Sequence, residues 1–437
     1  MRHRRFLQVA SSGLVVLAVA LDSGAASKDI ESRREHRNPR VAAKLASLER
    51  LGKSDVSSRA AARRSAAAPV VSASGSETVA VDCTRGRSIS DAIAKSKARY
   101  LRVVVSGTCA ESVVVERPGV TISGAAAGGA TIEAAHEPLG PPTGAAIRAL
   151  GAHELALEDL TLTGGLNGLD ATDSRRMSLT RIKANDNPGV GVLFLDGYGV
   201  RLDASEATIS DSEFSRNGYA SHVFEPSGGP ILVVNGSRAE IAGCTMDQNR
   251  SDGPFSLYNS VLFLSGCTMT MNGLGPQAIG HSRTHVRSST LDGSEDDFAV
   301  QDSELTYTDS TITGMNRSFA GGDSILRYTR SSVQTGGLTA FTSSTLEFLG
   351  STLVWEPCVG CEEDEQPAVP FLFVSSHSFA DVRRSGAVES NVAALVFLDK
   401  FSDGSFETAA PIGRVQCSKR SRVITNLPPL GGTSGCE

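Results

Sequence analysis

From residue 155 onward one frame recurs nine times: an apolar residue, a small or apolar residue three positions later, and an apolar residue two after that. It reads Leu157-Leu160-Leu162, Leu179-Ile182-Ala184, Ile209-Ser212-Phe214, Ile241-Cys244-Met246 and Leu264-Cys267-Met269. It goes on as Val286-Ser289-Leu291, Tyr307-Ser310-Ile312, Tyr328-Ser331-Val333 and Phe348-Ser351-Leu353. The first members lie 22, 30, 32, 23, 22, 21, 21 and 20 residues apart. A fixed period of this length is the mark of a repeat architecture.

The spacing inside the frame says which one. Apolar positions two apart share one face of a strand, because side chains alternate. A step of three breaks that parity, so a bend falls between the first and second members. Each unit then carries two short strands meeting at a corner, both pointing side chains inward. Eight residues after the first member stand Asn187, Asn217, Asn249 and Asn272. Asn tolerates the left-handed backbone region and bonds its own main chain, so these positions predict a second tight turn. Stacked copies of that turn can bond one another as an amide ladder. A third apolar strand follows in most units, as in Phe298-Ala299-Val300. Three strands and three turns in about 22 residues make one coil of an all-β solenoid, whose coils pair as parallel strands about 4.8 Å apart. A propeller blade recurs near 40 residues and a sandwich keeps no such frame.

The N-terminus reads as an export signal over residues 1–26. Arg2, Arg4 and Arg5 precede an apolar stretch from Phe6 to Ala20, and small residues between Ala20 and Ala26 offer the exit site. Fifteen mildly apolar residues fall short of a membrane span. Residues 27–77 form a basic, Ala/Ser/Arg-rich linker or pro-segment. Residues 28–68 hold 11 Lys and Arg against 5 Asp and Glu, and residues 1–27 hold 3 against 1, so −14 is left for residues 69–437 of a total of −6. An acidic body with aromatics at 5% speaks against nucleic acid as a partner. Eight cysteines fit an oxidising compartment. Cys83 with Cys109, and Cys417 with Cys436, have the look of staples at the two ends of a domain. Cys358 and Cys361 form a lone C-x-x-C with no second pair or histidine in range for zinc, which leaves a local disulfide or free thiols.

The 22-residue coil, its inward apolar columns, the Asn turns and the Ser/Cys stack together resemble the right-handed parallel β-helix of the pectate lyase-like superfamily. The resemblance spans residues 78–400, and residues 401–437 would close the open end with a disulfide. Val120-Thr121-Ile122-Ser123-Gly124 repeats the pattern of Leu160-Thr161-Leu162-Thr163-Gly164, and Ser90–Lys97 reads as a capping helix over the first coil.

Enzymes of that superfamily act on polysaccharides, mostly acidic ones, so the resemblance implies a polysaccharide partner. Asn249-Arg250-Ser251-Asp252-Gly253 and Gly280-His281-Ser282 are weakly similar to polygalacturonase motifs. The Asp-Asp pair belonging between them is missing, because Asp296-Asp297 comes after His281, and this counts against hydrolysis by paired carboxylates. Two units carry eight to ten extra residues, and such insertions often collect on a binding face. Asp252, His281 and His222 are therefore the candidate proton-transfer residues, with Tyr219, Glu225, Asn259 and Arg283 as candidate substrate contacts. No metal or cofactor is readable. Two functions stand side by side: a secreted carbohydrate-binding or carbohydrate-modifying protein, and an extracellular adhesion or structural rod without catalysis.

Overall fold

The computed structural model describes residues 75–125, 129–135, 144–188, 196–218, 228–294 and 296–355. Beyond these it describes Phe371–Val374, 378–383, Ala394–Leu398, Asp403–Phe406, Ile412–Cys417 and Arg422–Thr425. Every strand pairing among them is parallel, and each strand pairs with its counterpart in the next coil. The strands collect into three faces. Face 1 carries the first member of the frame, face 2 the third member, and face 3 the apolar strand after the Asn turn. Register along face 1 is unbroken, from Ser76↔Tyr100 to Asp403↔Arg422. The parallel rungs run on past residue 400 to Arg422–Thr425, although the frame fades there in the sequence.

The inward columns hold as expected. The first and third members of all nine frames are buried, and Tyr307, Tyr328 and Phe348 stack face to face at 5.0 and 4.6 Å between ring centres. The bend is one residue in the left-handed region, always two after the first member. Its φ is 53° at Asp159, 53° at Arg181, 51° at Asp211, 52° at Asp309 and 48° at Arg330. Glycine fills the same place at Gly243, Gly266 and Gly350.

Ser212, Cys244, Cys267, Ser289, Ser310, Ser331 and Ser351 then form the small inward column, each buried. Ser289 Oγ accepts from the backbone N–H of Cys267 at 3.1 Å, and Ser310 Oγ from that of Ser289 at 3.3 Å. These hydroxyls satisfy donors that the corner withdraws from the ladder. A second hydroxyl column stands at the corner between faces 3 and 1, through Ser174, Ser205, Ser237, Ser260, Ser282, Ser303, Ser324 and Ser344. It works the same way: Ser237 Oγ accepts from Ser205 N–H at 2.9 Å, and Ser303 Oγ from Ser282 N–H at 3.2 Å.

The Asn ladder forms, with one correction to its backbone. Asn187 donates through its main chain and its amide to Asn217 Oδ1 at 3.2 and 3.0 Å. Asn217 does the same to Asn249 at 3.1 Å for both bonds, and Asn249 to Asn272 at 3.2 and 2.8 Å. The left-handed residues are the ones before each Asn: Asp186, Arg216, Gln248 and Met271. They turn the chain, and the following Asn is thereby aimed inward, where its amide finds partners.

The first coil is covered by α1 (Ile89–Lys95), which starts one residue before the expected helix and stops two before its end. Ser88 caps its N-terminus, and Glu111 accepts from Ile89 N–H at 2.7 Å and Ser90 N–H at 3.2 Å. Such a carboxylate also complements the helix dipole. Ser96 ends the helix in an extended conformation, its hydroxyl bonded to Glu77 at 2.5 Å. Ile89 and Ile93 face the core.

Cys83 and Cys109 are joined, 26 residues apart in sequence. Replacing both by serine is expected to remove about 3 kcal/mol of loop-closure stabilisation. The check is a melting curve of the double variant against wild type under non-reducing conditions; coincident curves would refute it. Cys417 ends the strand Ile412–Cys417, while Cys436, Cys358 and Cys361 lie outside the described residues.

Candidate functional site

Asp252 follows the Asn249 turn and leads into the strand Phe255–Leu257 of face 3. Only 5% of its surface is accessible. Tyr198 Oη donates to Asp252 Oδ2 at 2.7 Å, and Gln277 Nε2 donates to Oδ1 at 3.4 Å. Gly229 is the residue of the intervening coil, and a Cβ there would lie 2.4 Å from the Asp252 carbonyl oxygen and 3.1 Å from its Cβ. Glycine is what lets the two rungs close up beside the Tyr198–Asp252 bond. Burial pushes the Asp252 carboxyl up to about 6, against the pull of the bonds from Tyr198 and Gln277. The Tyr198 hydroxyl is driven well above 10, first by burial and then by the neighbouring carboxylate.

His281 sits elsewhere. It occupies the corner between faces 3 and 1, where two successive left-handed residues turn this coil and its neighbours: Tyr258-Asn259, Gly280-His281 and Gln301-Asp302. Asn259 N–H donates to Gly280 O at 2.9 Å and His281 N–H to Gln301 O at 2.8 Å, so both candidates are rungs of a stacked turn. The His281 ring is exposed, with Nδ1 3.4 Å from Asp302 Oδ2. Gln277, beside Asp252, opens the strand Gln277–Ile279, and His281 lies in the left-handed turn that follows that strand's other end. The fold therefore puts Asp252 and His281 at opposite ends of face 3, and they form no acid–base pair. His222, Tyr219 and Glu225 lie outside the described residues.

Asp296 and Asp297 make no carboxylate pair either, because neighbouring side chains on a strand point to opposite sides. Asp296 is bound by Arg317 at 3.1 Å, its register partner, whereas Asp297 turns into the core. The close set of three potential metal ligands among the described residues is Cys83, Cys109 and Glu111. Its sulfurs are bonded to each other and its carboxylate caps α1, so it is not a metal centre.

A different constellation lies on the outer side of face 1. Glu240, Phe263, His285 and Thr306 stand in register on four successive coils. The Phe263 and His285 rings stack at 4.9 Å between centres, 21° from parallel. The Arg238 guanidinium lies over the Phe263 ring at 4.6 Å, a cation–π distance. His285 Nδ1 is 2.7 Å from Thr306 Oγ1. Arg283 and Arg287 flank His285 two residues to either side, so they share its face, and both are exposed. Arg238 is also held by Glu240 at 2.6 Å, and Arg283 reaches Glu304 only at 4.0 Å. Of the sequence candidates, Arg283 alone belongs to this group. Phe263 is hidden in the sequence between Leu262 and Leu264, yet parity marks it, since it stands one before a first member and must face outward.

Comparison with curated proteins yields no match. Among solved structures the chain aligns with an alginate lyase from a Paenibacillus species at 11% identity and a TM-score of 0.32, over 82% of this chain and 98% of that one. It aligns with the A-module of a mannuronan C-5 epimerase from Azotobacter vinelandii at 12% identity and a TM-score of 0.32, over 80% of this chain and 95% of that one. Residues 195–353 match the family described as right handed beta helix region. With its parallel coils and that match, the chain is a right-handed parallel β-helix, the fold that its resemblance to the pectate lyase-like superfamily implies.

Proposed function

We propose that the protein is exported and binds an extracellular polysaccharide along the outer side of face 1, with the Phe263–His285 stack as the platform. The observation carrying this reading is that ring pair, set outward on a strand and overlaid by Arg238. Aromatic faces suit the C–H faces of sugar rings, and guanidinium groups suit carboxylate or sulfate substituents. The coils repeat every 4.8 Å or so along the axis, which offers an extended polymer an extended track. The basic and apolar N-terminal residues support export. Among the described residues no helix is long and apolar enough to cross a membrane.

The test is a panel of neutral and acidic polysaccharides, with binding measured for wild type and Phe263→Ala. Wild type is expected to retain at least one polymer, and the variant to bind it about tenfold more weakly, the scale of one aromatic contact. Equal binding by both, or no binding across the panel, sinks the reading. A second reading, glycan modification, is favoured by one feature: the buried Asp252 carboxyl with its pKa raised to about 6. New reducing ends or unsaturated products that vanish in Asp252→Asn would move the assignment from binder to enzyme.

A further inference from the structure

One of the two stacked rings on face 1 can take up a proton. We propose that His285 couples the platform to pH, so that an anionic polysaccharide binds more tightly as the medium becomes mildly acidic; this rests on the platform reading above. The geometry supplies the coupling. Phe263 lies between the Arg238 guanidinium on one side and the His285 ring on the other. An imidazolium at His285 would flank the phenyl ring with a second cation and add positive charge between Arg283 and Arg287.

The charged groups that face the ring are few. Arg283 and Arg287 come from its own strand, Arg238 and Glu240 from two coils back, and Glu304 from the next coil. Glu304 is shared, reaching Arg327 at 3.5 Å and Arg283 at 4.0 Å. Glu240 is engaged with Arg238. Thr306 can satisfy Nδ1 in either state, accepting from the imidazolium or donating to the neutral ring. Protonation therefore breaks no contact in the stack.

Burial holds the His285 pKa below 6.5, with Arg283 and Arg238 adding to the effect and Glu304 opposing it. The free platform is thus uncharged at His285 near neutrality. A bound anion favours the imidazolium and raises that pKa, and by linkage the proton strengthens anion binding by the same factor. An anion that raises the ring's proton affinity about tenfold is itself held about tenfold more tightly by the protonated platform.

The probe is dextran sulfate, which stays ionised throughout, with uncharged dextran beside it. Affinities are measured at about pH 5.5 and about pH 7.5, either side of the ordinary histidine value. Wild type is expected to bind dextran sulfate about tenfold more tightly at the lower pH. His285→Phe keeps a ring but not the proton, and its ratio between the two pH values should fall towards one, whatever its affinity. His285→Gln should repeat that loss of ratio without the ring. Equal wild-type affinities at both pH values, or the wild-type ratio surviving in both variants, overturns the coupling and leaves the platform standing. Failure of dextran sulfate and dextran to bind at either pH removes the platform and the coupling together.

Discussion

Replacing Asn217 by alanine is expected to destabilise the protein by about 3–5 kcal/mol, as a buried network losing one member does. Asn217 is fully buried in the middle of the amide ladder. Its Oδ1 accepts both the main-chain and the side-chain donors of Asn187, and its Nδ2 donates to Ala184 O at 2.8 Å and to Asn249 Oδ1 at 3.1 Å. Alanine leaves the main-chain N–H of Asn187 and the Ala184 carbonyl without these partners, where water has little access, while the Asn187 amide keeps the Leu162 and Asn185 carbonyls. Each stranded buried group costs about 1–3 kcal/mol. The neighbour Arg216 is the natural comparison. Its guanidinium pairs with Asp186 at 2.7 Å on the surface, and exposed pairs of that kind contribute no more than about 1 kcal/mol. Denaturant unfolding of Asn217→Ala, Arg216→Ala and wild type checks the contrast. Near-equal losses in the two variants would mean that the ladder is decorative.

That contrast also shows what makes the fold readable. A coil cannot bury its interior alone, so the inward positions of every coil must be apolar or self-satisfying, and the same choice recurs at the same place. Leu179, Ile209 and Ile241 are visible in the sequence for that reason, and so are the four asparagines. The second serine column escapes notice there because a lone serine every coil looks like turn composition. Only coordinates show Ser205, Ser237 and Ser303 facing inward to take a backbone donor.

The site is harder to read. Left-handed corners draw on Asn, Asp, His and Gly, the residue types that also populate polar active sites. His281 and Asn259 stand out on chemistry, and the fold uses their backbones. Phe263 is inconspicuous for the opposite reason: inside Val261-Leu262-Phe263-Leu264 an outward ring resembles its inward neighbours until the strand parity is worked through. Binding surfaces on a solenoid arise where an outward residue breaks the polar rule, and that exception occurs once per site, whereas the core pattern recurs in every coil.

Asp297 carries the second large prediction. It is fully buried in the column of core aromatics, where Tyr307 Oη donates to its Oδ2 at 2.5 Å and Tyr328 Oη approaches the same oxygen at 3.3 Å. Tyr328 is held in turn by Ser318 Oγ at 2.9 Å. Burial pushes its pKa from 3.8 up to about 7, against the hydroxyls of Ser318, Tyr307 and Tyr328. The folded state therefore holds this proton more tightly than the unfolded chain does. Stability from the group is whole below the unfolded value near 4, falls as pH rises, and is lost once pH passes about 7. Each tenfold difference in proton affinity between folded and unfolded chain is worth about 1.4 kcal/mol, so the deficit above that point reaches a few kcal/mol. Asp297→Asn keeps an oxygen for the tyrosine hydroxyls and cannot ionise. It is expected to match wild type within about 1 kcal/mol at pH near 4, and to exceed it by about 2–4 kcal/mol near pH 8. Unfolding free energies of both proteins across that range provide the check. Asp252, also raised by burial, titrates alike in both chains and cancels from the comparison, whereas Asp296 is coupled by charge to Asp297 and belongs to the same response. A gap between wild type and variant that stays constant with pH would show that Asp297 is not the proton the core retains.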